Sequence, residues 1–153
     1  MQSTKITKVV FWILVAIAAV TIIKSAKAMK DWQIVSEVNE ERMLNSIKAI
    51  ENSNGKTGAL GEHGAYQINP KTWAEHSSIP IAVAPSYYHD VVARNILRHY
   101  AAILRKRGSE VTPYNLALCW CSGPYRKNPS KRAVDYASRL QNYYQSLNET
   151  QHS

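Results

Sequence analysis

Four of the chain's six glycines, Gly55, Gly58, Gly61 and Gly64, fall at three-residue intervals in one short stretch. Each glycine inside a helix costs about 0.5–1 kcal/mol relative to alanine. The stretch therefore cannot extend the helix before it, and residues 55–69 read as a structured loop or a small hairpin. Helices must be built on either side, and the apolar spacing supplies them. Met43, Leu44, Ile47 and Ile50 share one face of a helix predicted over 37–51. Glu37, Glu40 and Glu41 suit its positive N-terminal end, and Asn52-Ser53-Asn54-Gly55 stops it. Asn69-Pro70 reads as an N-cap and first helical position for a short helix over 70–76 carrying Trp73. Residues 77–85 contain two prolines and read as an extended connection.

The longest predicted helix covers 87–107, with Ser86 as its cap, Asp90 in its first turn and Gly108 at its end. Val92, Ile96, Tyr100 and Ile103 form its apolar stripe, with Leu97 and Leu104 beside them. Thr112-Pro113 opens a further helix carrying Leu116, Leu118 and Trp120, and Ser122-Gly123-Pro124 closes it. A last helix over 131–147 carries Val134, Ala137, Leu140, Tyr144 and Leu147, and a polar tail begins at Asn148. Five helices with one glycine-rich insertion define a mostly α class, all-α or α+β, in a single domain over 29–153 that starts with a polar lead-in.

The first 28 residues stand apart. Lys5 and Lys8 precede the apolar run Val9–Ile23, and Ala26-Lys27-Ala28 follows as an A-x-A pattern. This is the order of a secretory signal peptide. The run is shorter than the ~20 residues a spanning helix wants, and Lys24 and Lys27 are unusual beside a cleavage site, so an uncleaved membrane anchor is the other reading. Either one exports the domain and puts residues after about 28 outside the membrane. The expected location is the periplasm or cell envelope, secreted or anchored to the outer face of the inner membrane.

The formal charge is +8. Lys5, Lys8, Lys24 and Lys27 account for half of it, because no acid lies among the first 28 residues. A modestly basic body favours an anionic polymer. Its basic clusters, Arg105-Lys106-Arg107 and Arg126-Lys127 with Lys131-Arg132, read first as a solvated helix end and loop. No nucleic-acid-binding motif is present, and export argues against that partner. Nine Tyr and four Trp against a single Phe suit a groove for sugar rings or any wet interface. Cys119 and Cys121 are two apart on a predicted helix, poorly placed to bridge each other, and read as small core residues.

Glu51 is the carboxyl with the most to say. It follows Ile47 by four residues and Leu44 by seven, which sets it on the apolar stripe at the helix end. Burial there disfavours the charged form. A carboxyl that keeps its proton near neutral pH is what protonates a departing sugar oxygen. A salt-bridged helix-end glutamate has the same spacing.

The pattern around Glu51 narrows this. The chain reads Ile50-Glu51-Asn52-Ser53, then Gly58-Ala59-Leu60-Gly61-Glu62-His63-Gly64-Ala65-Tyr66-Gln67-Ile68-Asn69-Pro70. Further on it reads Asn115-Leu116-Ala117-Leu118-Cys119-Trp120-Cys121-Ser122-Gly123-Pro124 and Tyr136-Ala137-Ser138-Arg139-Leu140. Over about residues 40–147 this resembles the soluble lytic transglycosylase and goose-type lysozyme family. That family is marked by a Glu-Ser pair, a Gly-x-x-Gln-Ile-x-Pro stretch, an Ala-x-x-Tyr-Asn-x-Gly-Pro segment and a late tyrosine. The resemblance implies a lysozyme-like fold with a glycine-rich active-site loop, and Glu51 as catalytic acid. It implies Gln67 lining the cleft beside Glu51 and Tyr136 packed near the acid. Gly64, Tyr66 and Ile68 would shape the loop under the sugar, or else serve as a turn glycine, a core aromatic and a core aliphatic; Trp120 joins Gly64, Tyr66, Gln67 and Tyr136 as a substrate-binding candidate. Two positions depart from the pattern: Asn52 stands for the serine after the acid, and Cys121 for the asparagine before Gly-Pro.

The implied activity is cleavage of the β-1,4 bond between N-acetylmuramic acid and N-acetylglucosamine in peptidoglycan, with the glycan strand as partner. No metal or organic cofactor is implied, and a monomer is expected. An inverting lysozyme needs a second carboxylate, about 6.5–9.5 Å from the first; Glu62 is the nearby candidate, or else a solvated loop residue. A lytic transglycosylase needs Glu51 alone. His63 is a weaker candidate. A catalytically inactive peptidoglycan-binding module on the same fold is the alternative that the two departures raise.

Overall fold

The computed structural model describes residues 38–51 and 57–149, and its helices form where the apolar spacing puts them. They are α1 (Glu40–Glu51), α2 (Pro70–His76), α3 (Ser86–Lys106), α4 (Pro113–Ser122) and α5 (Lys131–Glu149). No strand occurs among the described residues, and the glycine-rich stretch contains a single antiparallel bridge between His63 and Ile68. The class is therefore mostly helical. The apolar segment 9–23, Asn52 and the stop signal at 52–55 lie outside the described residues. Among the described residues, no helix is long and apolar enough to cross a membrane.

Local chemistry sets the helix ends. Asn39 accepts a hydrogen bond from the Arg42 amide at 2.9 Å, so α1 starts at Glu40 rather than at 37. Asn69 caps α2 through the Lys71 amide at 2.9 Å, with Pro70 in its first turn. Thr112 caps α4 through the Asn115 amide at 3.1 Å. At α3 the expected cap is displaced by one residue. Pro85 precedes the helix in extended conformation, and Ser86 is its first residue and makes no capping bond. Gly108 ends α3 at φ +70°, where the Ser109 amide reaches back to the Leu104 carbonyl at 2.9 Å. The connection 77–85 holds a 3-10 turn at Ile81–Val83, and the Trp73 indole N–H donates to the Ile79 carbonyl at 2.6 Å.

The core lies between α1, α3, α4 and α5. Met43, Leu44 and Ile47 of α1 are buried together with Val92 and Ile96 of α3, Leu116 and Ala117 of α4, and Ala137 and Leu140 of α5. α5 packs along α4 and α1, and α3 meets α1, α2 and α4. Polar contacts fix the seams. The Tyr144 hydroxyl accepts from the Asn39 amide at 2.9 Å, tying the end of α5 to the start of α1. Glu40 and Glu41 do more than complement a helix end. Arg98 grips both Glu40 oxygens, at 2.8 and 3.0 Å, while Arg94 bonds Glu40 at 2.8 Å and also pairs with Glu41. These charge-assisted forks hold the Glu40 carboxyl below its ordinary range despite burial, which acts the other way. Asp90 likewise leaves the helix end and pairs with Lys48 of α1 at 3.1 Å.

The glycine-rich loop is anchored from below by Tyr66, Ile68 and Trp73, all almost fully buried. Gly64 turns the loop at φ +74°, and a Cβ there would sit 2.6 Å from Nδ1 of His89. The His89 ring lies 4.7 Å from Trp73 and cannot swing away freely. Gly108 has a similar φ but open space around it. Gly108→Ala should therefore cost only the left-handed backbone term, about 1–2 kcal/mol. Gly64→Ala should cost more in chemical denaturation, and His89→Ala in the same chain should recover the excess. Equal losses for the two glycine variants would refute the crowding.

Candidate active site

α1 delivers Glu51 as its last residue, where the apolar stripe runs out into a cleft of about 540 Å³. The cleft takes its walls from every part of the domain. Gly58, Leu60, Glu62, Gln67 and Ile68 come from the loop, Thr72 from α2, Ile96 and Tyr100 from α3, Trp120 and Cys121 from α4, and Arg132, Tyr136 and Arg139 from α5.

The Tyr136 hydroxyl donates to Glu51 Oε1 at 2.7 Å. Burial, the Glu51 charge and this bond together push the phenol far above its ordinary range. It therefore stays a donor. A neutral Glu51 that accepts this bond at Oε1 carries its own proton on Oε2. Glu51 is only part-exposed. Burial of its carboxyl raises its pKa, the Tyr136 bond lowers it, nearby Glu62 raises it, and Arg132 and Arg139 lower it; the balance is upward. This is the protonation bias a general acid requires.

The loop residues divide into those that face the cleft and those that support it. Gln67 reaches the cleft in left-handed backbone conformation, φ 46°, unusual for a residue with a Cβ. Its side-chain amide donates to the Gly64 carbonyl at 2.9 Å, which closes the turn. A Cβ at Gly58 would crowd Glu62 Oε2 and lie 2.8 Å from Gln67 Oε1, so that glycine makes room for both side chains. Glu62 also lines the cleft, and its Oε2 accepts from the Leu60 amide at 2.9 Å, anchoring the tip of the loop.

Several substrate-side candidates fall outside the cleft lining, and one cysteine falls inside it. Tyr66 is 1% exposed and does not line the cleft. Its hydroxyl donates to Asp90 at 2.9 Å and its ring meets Trp120 at 6.4 Å, so it supports the cleft from behind. Gly64 is a turn residue packed on His89, also outside the lining. Cys119 is buried, but Cys121 is exposed and lines the cleft, because residues two apart on α4 point in different directions. His63 bridges to Ile68 through the backbone and is likewise not in the lining.

The cleft arginines were missed. Arg132 and Arg139 flank Tyr136 at four and three residues, spacings that share one helix face. That spacing is visible in the sequence, but Arg132 reads first as part of a solvated loop cluster, and Arg139 carries only its place in the late-tyrosine segment. Ile96 and Tyr100 carry no such signal, since their stripe is needed equally for packing, and Thr72 is an isolated polar residue of α2.

Comparison with known proteins finds no matching family model, no matching curated protein and no matching solved structure.

Because the folded pKa of Glu51 is raised, the unfolded chain gives up its proton first as pH rises. The stability owed to this group is full below its ordinary value of 4.5 and is lost as pH climbs through the folded value. Glu51→Gln should therefore gain stability over the natural chain at about pH 7, with the gain shrinking toward about pH 4. Thermal melts across that range test it, and a pH-independent difference would show that burial does not hold the proton. Tyr136→Phe removes a bond that favours the charged form. Carboxyl-resolved NMR titration should then find Glu51 titrating higher still.

Proposed function

We propose that this chain is an exported peptidoglycan-cleaving enzyme of the lytic transglycosylase and goose-type lysozyme kind, built on a lysozyme-like fold. One observation carries the reading: a half-buried carboxyl with a raised pKa, one oxygen held by a buried tyrosine, stands in a cleft large enough for sugars. The ordered sequence motifs around Glu51, Gln67 and Tyr136 support it. The apolar segment near the N-terminus supports export, by signal peptide or anchor, to the side of the membrane where the glycan lies.

The chemistry follows from the two oxygens of Glu51. Oε2 gives its proton to the bridging oxygen between N-acetylmuramic acid and N-acetylglucosamine. The C1–O bond breaks, and positive charge develops at C1 beside the new carboxylate. The carboxylate then takes the proton of the same muramic sugar's C6 hydroxyl as O6 bonds to C1. The product is a 1,6-anhydro ring, Glu51 is protonated again, and no water is consumed. Tyr136 stabilises the carboxylate between the two steps. Glu62 serves as a like-charge neighbour that favours the protonated acid, with its Oε2 committed to the loop.

Because Glu62 shares the cleft, hydrolysis with Glu62 as water-activating base is the second reading. Mass spectrometry of the fragments released from purified peptidoglycan separates them: 1,6-anhydro ends for transglycosylation, free reducing ends for hydrolysis. Glu51→Gln should lower turnover by about 10²–10⁴-fold, the usual worth of a general acid, with the fold intact by circular dichroism. Glu62→Gln should keep most of the activity. Full activity in Glu51→Gln would remove the acid assigned here, and a natural chain that binds strands and releases nothing would be a binding module.

A further inference from the structure

α5 brings two cations to the cleft, Arg132 and Arg139, and the same two line an open groove beside it together with Asp135 and Ser138. The seven-residue interval is close to two helical turns, about 10 Å of rise, so both leave one face of α5. Both are exposed, and among the described residues neither has a hydrogen bond or ion pair. Even Asp135, three residues from one and four from the other, pairs with neither. The contrast is with Arg94 and Arg98, which Glu40 and Glu41 hold in the α1–α3 seam.

Among the described residues no carboxylate pairs with these two guanidiniums, and their position is unfavourable to the acid. Their positive field reaches Glu51 and opposes the burial that keeps it protonated. Two uncompensated cations beside a general acid make sense if an anion neutralises them once the ligand is in place. A planar guanidinium matches a carboxylate through paired N–H bonds.

We propose that Arg132 and Arg139 form a carboxylate-binding wall running from the cleft into the adjoining groove, which selects glycan strands with carboxylate substituents over neutral strands. The inference rests on the glycan-cleaving reading above for the identity of the polymer. The carboxylate can belong to the ether-linked acid on the sugar itself or to a peptide attached to it.

The test is equilibrium binding by the full chain carrying Glu51→Gln, which holds strands without turning them over. Three ligands are compared: peptide-bearing strands, strands stripped of peptide but keeping the sugar's own carboxylate, and strands with all carboxyls amidated. At least one carboxylate-bearing form should bind about tenfold or more tightly than the amidated form, the scale of a charge-assisted bond. Preference for the stripped strands identifies the sugar's acid; preference for peptide-bearing strands alone identifies the peptide. Adding Arg132→Gln and Arg139→Gln should erase the preference, bringing the carboxylate-bearing strands down to the affinity of the amidated ones. Lys106→Gln, on α3 and outside the cleft, should leave it intact.

Equal affinity for all three ligands overturns the proposal, as does an arginine double variant that keeps the preference. Cleavage by the natural chain is scored separately. Selective binding without cleavage keeps this inference and removes the enzyme; cleavage without selectivity does the reverse.

Discussion

A hydroxyl from α5 meets a carboxyl from α1 across 85 residues of chain, and the rest of the site is arranged around that 2.7 Å contact. A carboxyl taken out of water with no partner would be costly, while one surrounded by several donors would ionise and give up its proton. Tyr136 supplies one donor. Its own burial holds its proton in place, so the bond has a fixed direction and the two Glu51 oxygens are no longer equivalent. The packing of α5 along α1, with Tyr144 bound to Asn39 at its far end, keeps the two groups in register.

Behind the cleft a second polar chain does supporting work. Lys48, Asp90 and Tyr66 join α1, α3 and the glycine-rich loop through one charged pair and one phenolic hydrogen bond. Lys48 also lies 4.9 Å from the centre of the Tyr66 ring. The Tyr66 ring then reaches Trp120, which lines the cleft and faces Tyr100 edge-on at 6.5 Å. The described part of the loop, with Gly58, Gly61 and Gly64, has a large conformational entropy to lose. Buried aromatic anchors, the Tyr66–Asp90 bond and the loop's own Gln67–Gly64 and Leu60–Glu62 bonds hold it in one shape. Gln67 in left-handed conformation is the local strain that this support sustains.

The helices were legible because their signals are local. Asn69-Pro70 and Thr112-Pro113 act through the next three residues, Gly108 through the preceding turn, and the apolar stripes through helical periodicity. The misplaced details share a cause. Ser86 loses the capping role because Pro85 already sets the chain's entry, and Asp90, Glu40 and Glu41 turn to cations on other helices rather than to their own helix ends. Charge partners far apart in sequence cannot be read from one helix at a time.

Taken alone, the order of residues determined the mostly helical class, the position of the glycine-rich insertion, and the choice of Glu51 as the carboxyl on an apolar face. Only the tertiary structure decided which side chains share its cleft. It withdrew Tyr66 and Gly64 into support, brought Cys121 out, and turned Arg132 and Arg139 toward the acid. The physical reason is the range of the forces. Caps and periodicity act over one or two turns, whereas desolvation of a carboxyl and the field of a distant guanidinium depend on where helices meet.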